Sequence, residues 1–143
     1  METNTKFEDV LEKDGELFFT NVGFSMYPLI KQREDILHIV KCNKYKKGDV
    51  VLYKDSKDQY IVHRILKYKN SMVILAGDHN PFKDNPINDS SIIGKLITIT
   101  KRNGKVVNLD KDKKLRRFFY TNFFSIKAFM QKVVNFLRLR KVK

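Results

Sequence analysis

The stretch KKGDVVLYKDSKDQYIVHRILKY, residues 46–68, decides the fold class of this chain. It contains two runs rich in Val, Ile, Leu and Tyr, which extend from Asp49 to Lys54 and from Gln59 to Tyr68. The polar segment from Asp55 to Asp58 lies between them. Short β-branched and aromatic runs that are separated by Asp and Ser are typical of strands joined by a turn. The stretch therefore predicts two neighbouring antiparallel strands.

Similar runs occur on both sides of this stretch, at the spacing of a small β domain. An N-terminal helix is predicted over Thr5 to Lys13, and Gly15 should end it. Asn103-Gly104 separates the last two apolar runs and predicts a hairpin, whereas Gly77 to Ser90 is predicted to be a loop. We expect a mainly β fold, either a small antiparallel sheet or a partly closed barrel. The other predicted strands are Glu16 to Val22, Ile36 to Lys41, Ser71 to Ala76, Ile92 to Thr100 and Lys105 to Leu109.

Charge divides the chain into two parts. The 143 residues have a net charge of +13 and are 42% hydrophobic, which is sufficient for one folded domain. Residues 111–143 hold eleven Lys and Arg against one acid, so +10 of the net charge lies there and +3 in the first 110 residues. We expect a β domain at 1–110 and a basic tail at 111–143. The single Cys42 excludes an internal disulfide, and no Cys/His cluster has zinc spacing, so no metal or cofactor is expected.

The basic tail is predicted to form an amphipathic helix. Phe119, Ile126 and Val133 recur every seven residues, and a second such series begins at Phe123. A wide apolar face with basic flanks suits the interface of an anionic membrane. Packing of the helix on its own sheet is the second interpretation and nucleic-acid binding the third. The residues predicted to contact the membrane surface are Lys113, Lys114, Arg116, Arg117, Phe119, Phe123, Lys127, Lys132, Arg138 and Arg140.

No segment of the sequence has the length of a membrane-spanning helix. A span needs roughly 20 mostly apolar residues. The longest run without a charge, Leu17 to Ile30, has fourteen residues and is interrupted by Pro28. The first residues, METNTKFEDVLEKDGE, lack the apolar core of a secretory signal. We therefore expect a cytoplasmic or peripherally membrane-associated protein.

Three short strings contain residues that suit nucleophilic catalysis. Ser25 lies in GFSMYP, and a Ser hydroxyl becomes a strong nucleophile when a base takes its proton. His63 lies in YIVHRI and has a side chain that can act as this base near neutral pH. Asp78 and Asp84 lie in GDHNPFKD, and a carboxylate beside a histidine can fix its tautomer. Taken singly, each string is also compatible with a structural role in a strand or turn.

Together, these strings resemble motifs of the signal peptidase I superfamily of serine endopeptidases, which also includes self-cleaving proteins of the LexA type. The resemblance covers about residues 16–100 and implies the family's β fold and its peptidase activity. His63 stands where the bacterial enzymes have Lys, which indicates the endoplasmic-reticulum and archaeal branch. The matching segments are SMYP, KKGDVVLY, VHRI and GDHNPFKD, which begin at Ser25, Lys46, Val62 and Gly77 and occur in the family's order.

The resemblance also implies a role for each site residue. Ser25 would be the nucleophile and His63 the general base. Asp84 would be the third member of the triad, with Asp78 as the alternative. The backbone N–H of Ser25 would stabilise the oxyanion. The residues implied in oxyanion stabilisation or substrate positioning are Gly23, Met26 and Pro28.

Two features depart from the family pattern. Many signal peptidases have a Ser two positions before the nucleophile, where this chain has Gly23, so backbone groups would have to bind the oxyanion. We also expect no N-terminal membrane anchor of the family's kind, so that the basic tail would provide a peripheral attachment instead. The expected substrate is an extended leader or signal-like peptide with small residues before the cut. The alternative is a non-catalytic module of the same fold that binds peptides, membranes or nucleic acid.

Overall fold

The protein forms a curled antiparallel sheet of eight strands, with a short helix at its N-terminal end. The computed structural model describes residues 5–80, 82–111 and 128–138. Along the sheet the strands follow the order β1-β2-β7-β3-β4-β5-β6, and β8 pairs with β7. The elements are α1 Phe7–Asp14, β1 Glu16–Thr20, β2 Ile36–Val40, β3 Val50–Lys54, β4 Tyr60–Lys69, β5 Met72–Ala76, β6 Ile87–Asn88, β7 Ile92–Thr100 and β8 Val106–Asn108.

The mainly β fold predicted from the sequence is confirmed, and all seven predicted strands form. The predicted hairpin is also confirmed, because β7 and β8 pair antiparallel across Asn103-Gly104. The predicted loop from Gly77 to Ser90 is wrong in one part. It contains β6 and a single 3₁₀ turn, and β6 pairs with Met72 and Val73 of β5. A strand of two residues has no hydrophobic period by which a sequence could reveal it.

Apolar side chains pack on both faces of the sheet at its centre. Leu52 of β3 belongs to a core with Leu37, Ile39 and Leu96. Its neighbours Val51 and Tyr53 point to the opposite face, since side chains alternate along a strand, and they pack with Ile65 and Leu75 in a second core. Strand β3 is therefore buried on both sides, which explains why the sequence VVLY shows no polar alternation.

Two helices flank the sheet in sequence. Helix α1 ends where the N–H of Gly15 donates to the carbonyl of Leu11, close to the predicted position, and Leu11 packs in the first core. Residues 128–138 form a second helix, α2. The rest of the predicted tail helix lies outside the described residues. No helix in the described part of the chain has the length and apolarity needed to cross a membrane.

Candidate active site

The loop that contains Ser25 packs directly on the turn that follows β5. The N–H of His79 donates to the carbonyl of Ser25 at 2.8 Å. The N–H of Asp78 lies 3.4 Å from the sulfur of Met26, which is fully buried. A Cβ on Gly77 would lie 2.4 Å from the Ser25 carbonyl oxygen and 2.9 Å from its Cβ, so only glycine fits there. The strings GFSMYP and GDHNPFKD, more than fifty residues apart, are thus in contact.

The backbone of the Ser25 loop has a fixed shape. Gly23 has a φ of +111°, which an L side chain rarely adopts, and its N–H donates to Oε1 of Gln32 at 3.0 Å. The N–H of Tyr27 donates to the carbonyl of Phe24, and the peptide bond before Pro28 is cis. The positive φ at position 23 therefore explains why this residue is glycine. Among the described residues, none accepts a hydrogen bond from the N–H of Ser25.

His63 and Asp84 form a close pair. Nδ1 of His63 lies 2.5 Å from Oδ2 of Asp84, and the His63 side chain is 7% exposed. The N–H of Asp84 donates to the carbonyl of Leu75 at 2.9 Å, which ties the acid to β5. An ionised carboxylate only accepts hydrogen bonds, so opposite one Nδ1 of His63 is the donor, and in a neutral imidazole Nε2 is then the acceptor. This is the tautomer that a histidine needs to take a proton from a serine.

Tyr53 also binds this carboxylate, although no role for it is predicted from the sequence. Its hydroxyl donates to Oδ2 of Asp84 at 2.8 Å. Burial, and then the charge of Asp84, raise the pKa of the Tyr53 hydroxyl. Its position two residues after Val51 in β3 is the one sequence signal that could have located it, since every second residue of a strand faces the same side.

Asp78 belongs to a different pair. Its two oxygens accept from Nε and Nη2 of Arg64 at 2.8 and 2.9 Å, and both side chains are 6% exposed. Nη1 of Arg64 donates to the carbonyl of Gly48 at 2.9 Å. Of the two acids that the sequence left open, Asp84 therefore contacts His63 and Asp78 contacts Arg64. The sequence motifs predict no function for Arg64.

The sheet register places His63 next to the turn that packs on Ser25, although no hydrogen bond joins Ser25 to His63 in the described part of the chain. Arg64 of β4 pairs with Ala76 of β5. The next residues along the two strands are His63 and Gly77, and Gly77 packs against Ser25. The nucleophile, base and acid that the sequence suggested are thus supplied by the Ser25 loop, β4 and the loop before β6.

The predicted membrane-surface residues are described only in part. Lys132 and Arg138 lie on α2 and are exposed. Phe129, Met130, Phe136 and Leu137 of the same helix are each more than half exposed. No group of three or more His, Cys, Asp or Glu side chains that could hold a metal ion occurs in the described ranges. The remaining predicted positions, Lys113, Lys114, Arg116, Arg117, Phe119, Phe123, Lys127 and Arg140, lie outside those ranges.

Comparisons with protein-family models, curated proteins and solved structures found no match to this chain.

Proposed function

We propose that the protein is a serine endopeptidase of the signal peptidase type, with Ser25 as nucleophile, His63 as general base and Asp84 as the acid that orients it. The observation that carries the proposal is the 2.5 Å contact between Nδ1 of His63 and Oδ2 of Asp84. Gly77, which follows β5 and begins the loop that contains Asp84, packs on Ser25. The His63–Asp84 pair, together with Ser25 on the loop that packs against the turn after β5, supplies the side chains that an acyl-transfer site uses.

The reaction follows from the roles of the three side chains. Ser25 Oγ attacks the scissile carbonyl while Nε2 of His63 takes its proton. Asp84 stabilises the imidazolium that forms. His63 then gives this proton to the leaving amine, and the C–N bond breaks to leave an acyl group on Ser25. Water, deprotonated by His63, hydrolyses the acyl ester and restores the enzyme.

The oxyanion would be bound by backbone groups. Gly23 supplies no side-chain donor, and its N–H is already engaged by Gln32. The N–H of Ser25 has no acceptor within the described part of the chain, so it is available to a developing negative charge.

An extended substrate could pair with the first half of β4. Strand β4 pairs with β3 from Tyr60 to Arg64 but with β5 only from Arg64 to Lys69. Its first half, which ends at His63, thus has a strand partner on one side only in the described sheet. A leader or signal-like peptide could add there as a further strand, with main-chain hydrogen bonds holding the scissile bond near His63.

The test is cleavage of extended peptides with small residues before the cut, by the full chain and its variants. Ser25→Ala and His63→Ala should each abolish cleavage. The matched controls are Ser56→Ala, in an exposed turn, and His38→Gln, on β2 beside Glu16, and both should cleave normally. Cleavage that persists in either site variant contradicts the proposal. Binding of the peptides without cleavage by the unmodified chain would favour the non-catalytic module.

We propose further that α2 attaches the protein to an anionic membrane surface. At 100° per residue its Val, Leu, Met and Phe side chains cover one continuous arc, with Lys132 and Arg138 at the two borders. Gln131 and Asn135 bond to each other on the opposite side. The exposure of the large apolar side chains favours an external partner over packing on the sheet, and the +10 charge of residues 111–143 suits anionic lipid.

Flotation with vesicles that contain anionic phospholipid tests this attachment. Replacing Phe129 and Phe136 by Ser should remove binding, because these side chains supply much of the apolar surface that the membrane would bury. Replacing Gln131 and Asn135 by Ser should leave binding intact, since these residues lie on the polar face. Equal loss in both double variants contradicts the proposal, and so does tight, salt-sensitive binding to duplex DNA without binding to vesicles.

A further inference from the structure

The Asp84 carboxylate receives two donors on the same oxygen. The Tyr53 hydroxyl lies 2.8 Å from Oδ2 and Nδ1 of His63 lies 2.5 Å from it. A hydrogen bond to a carboxylate draws negative charge towards the donor. The two donors therefore compete for the charge of one oxygen, and the strength of one contact depends on the presence of the other.

The sheet register explains why both side chains reach this oxygen. Val51 pairs with His63 and Tyr53 pairs with Ile61, so Tyr53 and His63 are diagonal neighbours on one face. Their ring centroids are 6.3 Å apart, with the ring planes tilted by 60°. Tyr53 is 1% exposed and is packed in the second core, so its hydroxyl is held in place by the sheet itself.

We propose that Tyr53 is a positioning residue, which holds Asp84 against His63 and limits how strongly that carboxylate favours the imidazolium form of His63. Without the hydroxyl, Oδ2 of Asp84 keeps more negative charge, and protonated His63 becomes more stable. The midpoint of His63 titration then rises. The kinetic consequence of this role rests on the proposed peptidase function, whereas its effect on the titration does not.

The Tyr53→Phe variant keeps all the other charged groups near the site. Arg64 and Asp78 are bound to each other. Asp55 accepts from backbone N–H groups in the turn between β3 and β4. His79 lies beside Ser25, and Lys83 precedes Asp84 on an exposed loop. Because Tyr53→Phe changes none of these groups, a change in the titration of His63 reports on the hydroxyl.

The experiment is an NMR titration of the full chain with labelled histidine, in which His63→Gln assigns the His63 signal among three. Tyr53→Phe keeps the buried ring and should raise the His63 midpoint by about one pH unit. Tyr68→Phe is the matched control, because the Tyr68 hydroxyl donates to Asp89 at 3.1 Å in the same sheet. Burial and then Asp89 raise the pKa of Tyr68 to about 12, so it too is a protonated donor. The control should leave His63 unchanged.

An unchanged or lower His63 midpoint in Tyr53→Phe overturns the proposal, as does an equal rise in Tyr68→Phe. Where cleavage is measurable, the acid limb of the pH profile of kcat/KM should shift to higher pH in Tyr53→Phe by the same amount as the His63 midpoint. The kcat of this variant should fall about tenfold. If the His63 midpoint rises but the acid limb of the kcat/KM profile does not move, the proposed effect of Tyr53 on catalysis is wrong. Absence of cleavage in the unmodified chain counts against the peptidase and leaves the titration readable, so the two failures are distinct.

Discussion

Two consecutive residues of β4 bind carboxylates from one segment of the chain, and they do so on opposite faces of the strand. His63 binds Asp84, and Arg64 binds Asp78. The two acids are six residues apart, and both bases are nearly buried. A histidine gains and loses a proton near neutral pH, whereas an arginine stays protonated. The base that each acid meets therefore decides whether the pair can take part in proton transfer.

The comparison also separates positioning from chemistry. The Arg64 pair fixes the turn that lies against Ser25, since Asp78 is bound through both oxygens and Arg64 also holds the carbonyl of Gly48. The His63 pair contains the proposed general base. Loss of the first should therefore lower stability, and loss of the second should lower activity.

The largest expected difference between the two pairs is in kcat, when each acid is replaced by Asn. Asp84→Asn should lower kcat by about 10⁴, because the amide can donate to Nδ1 of His63 and favour the wrong tautomer. Asp78→Asn should keep most of the activity of the folded protein. Steady-state cleavage by both variants, each checked for folding by circular dichroism, makes the comparison. Equal losses, or the larger loss in Asp78→Asn, would show that the assignment of the acids is wrong.

The next effect concerns stability. Arg64→Met leaves Asp78 buried without its bidentate partner, which should lower the free energy of unfolding by about 3–5 kcal/mol. His63→Gln should cost about 1 kcal/mol, because an amide can still donate to Asp84. Urea titration of both variants measures the difference. If His63→Gln were the less stable variant, the division between a structural pair and a chemical pair would fail.

The smallest of the three effects tests the contact between the turn and Ser25. Gly77→Ala places a Cβ 2.4 Å from the Ser25 carbonyl, so the loop must move and kcat/KM should fall about 100-fold. Gly104→Ala is the control, since a Cβ there meets nothing within 4 Å but its φ of +84° is strained. It should cost about 1 kcal/mol of stability and leave cleavage unchanged. Full activity in Gly77→Ala would refute the contact's importance.

The sequence predicted the strands because each is an apolar run between turn residues. It also selected Ser25, His63, Asp78 and Asp84 through strings that lie far apart in the chain. It did not decide between the acids, because that choice depends on how the loop after β5 folds over the two faces of β4. Tyr53 appeared to be an ordinary core residue, since a buried aromatic side chain has the same signature whether or not its hydroxyl has a partner. The resemblance to signal peptidases stays a prediction.

The central claim is that Ser25 and His63 act as one catalytic unit, and the kcat values of Ser25→Ala, His63→Ala and the double variant test it most directly. Residues that act together in acyl transfer are strongly non-additive. Each single variant should lose about 10⁶ in kcat, and the double variant should be no slower than either. Substantial cleavage in one single variant, or losses that multiply in the double variant, would contradict the account.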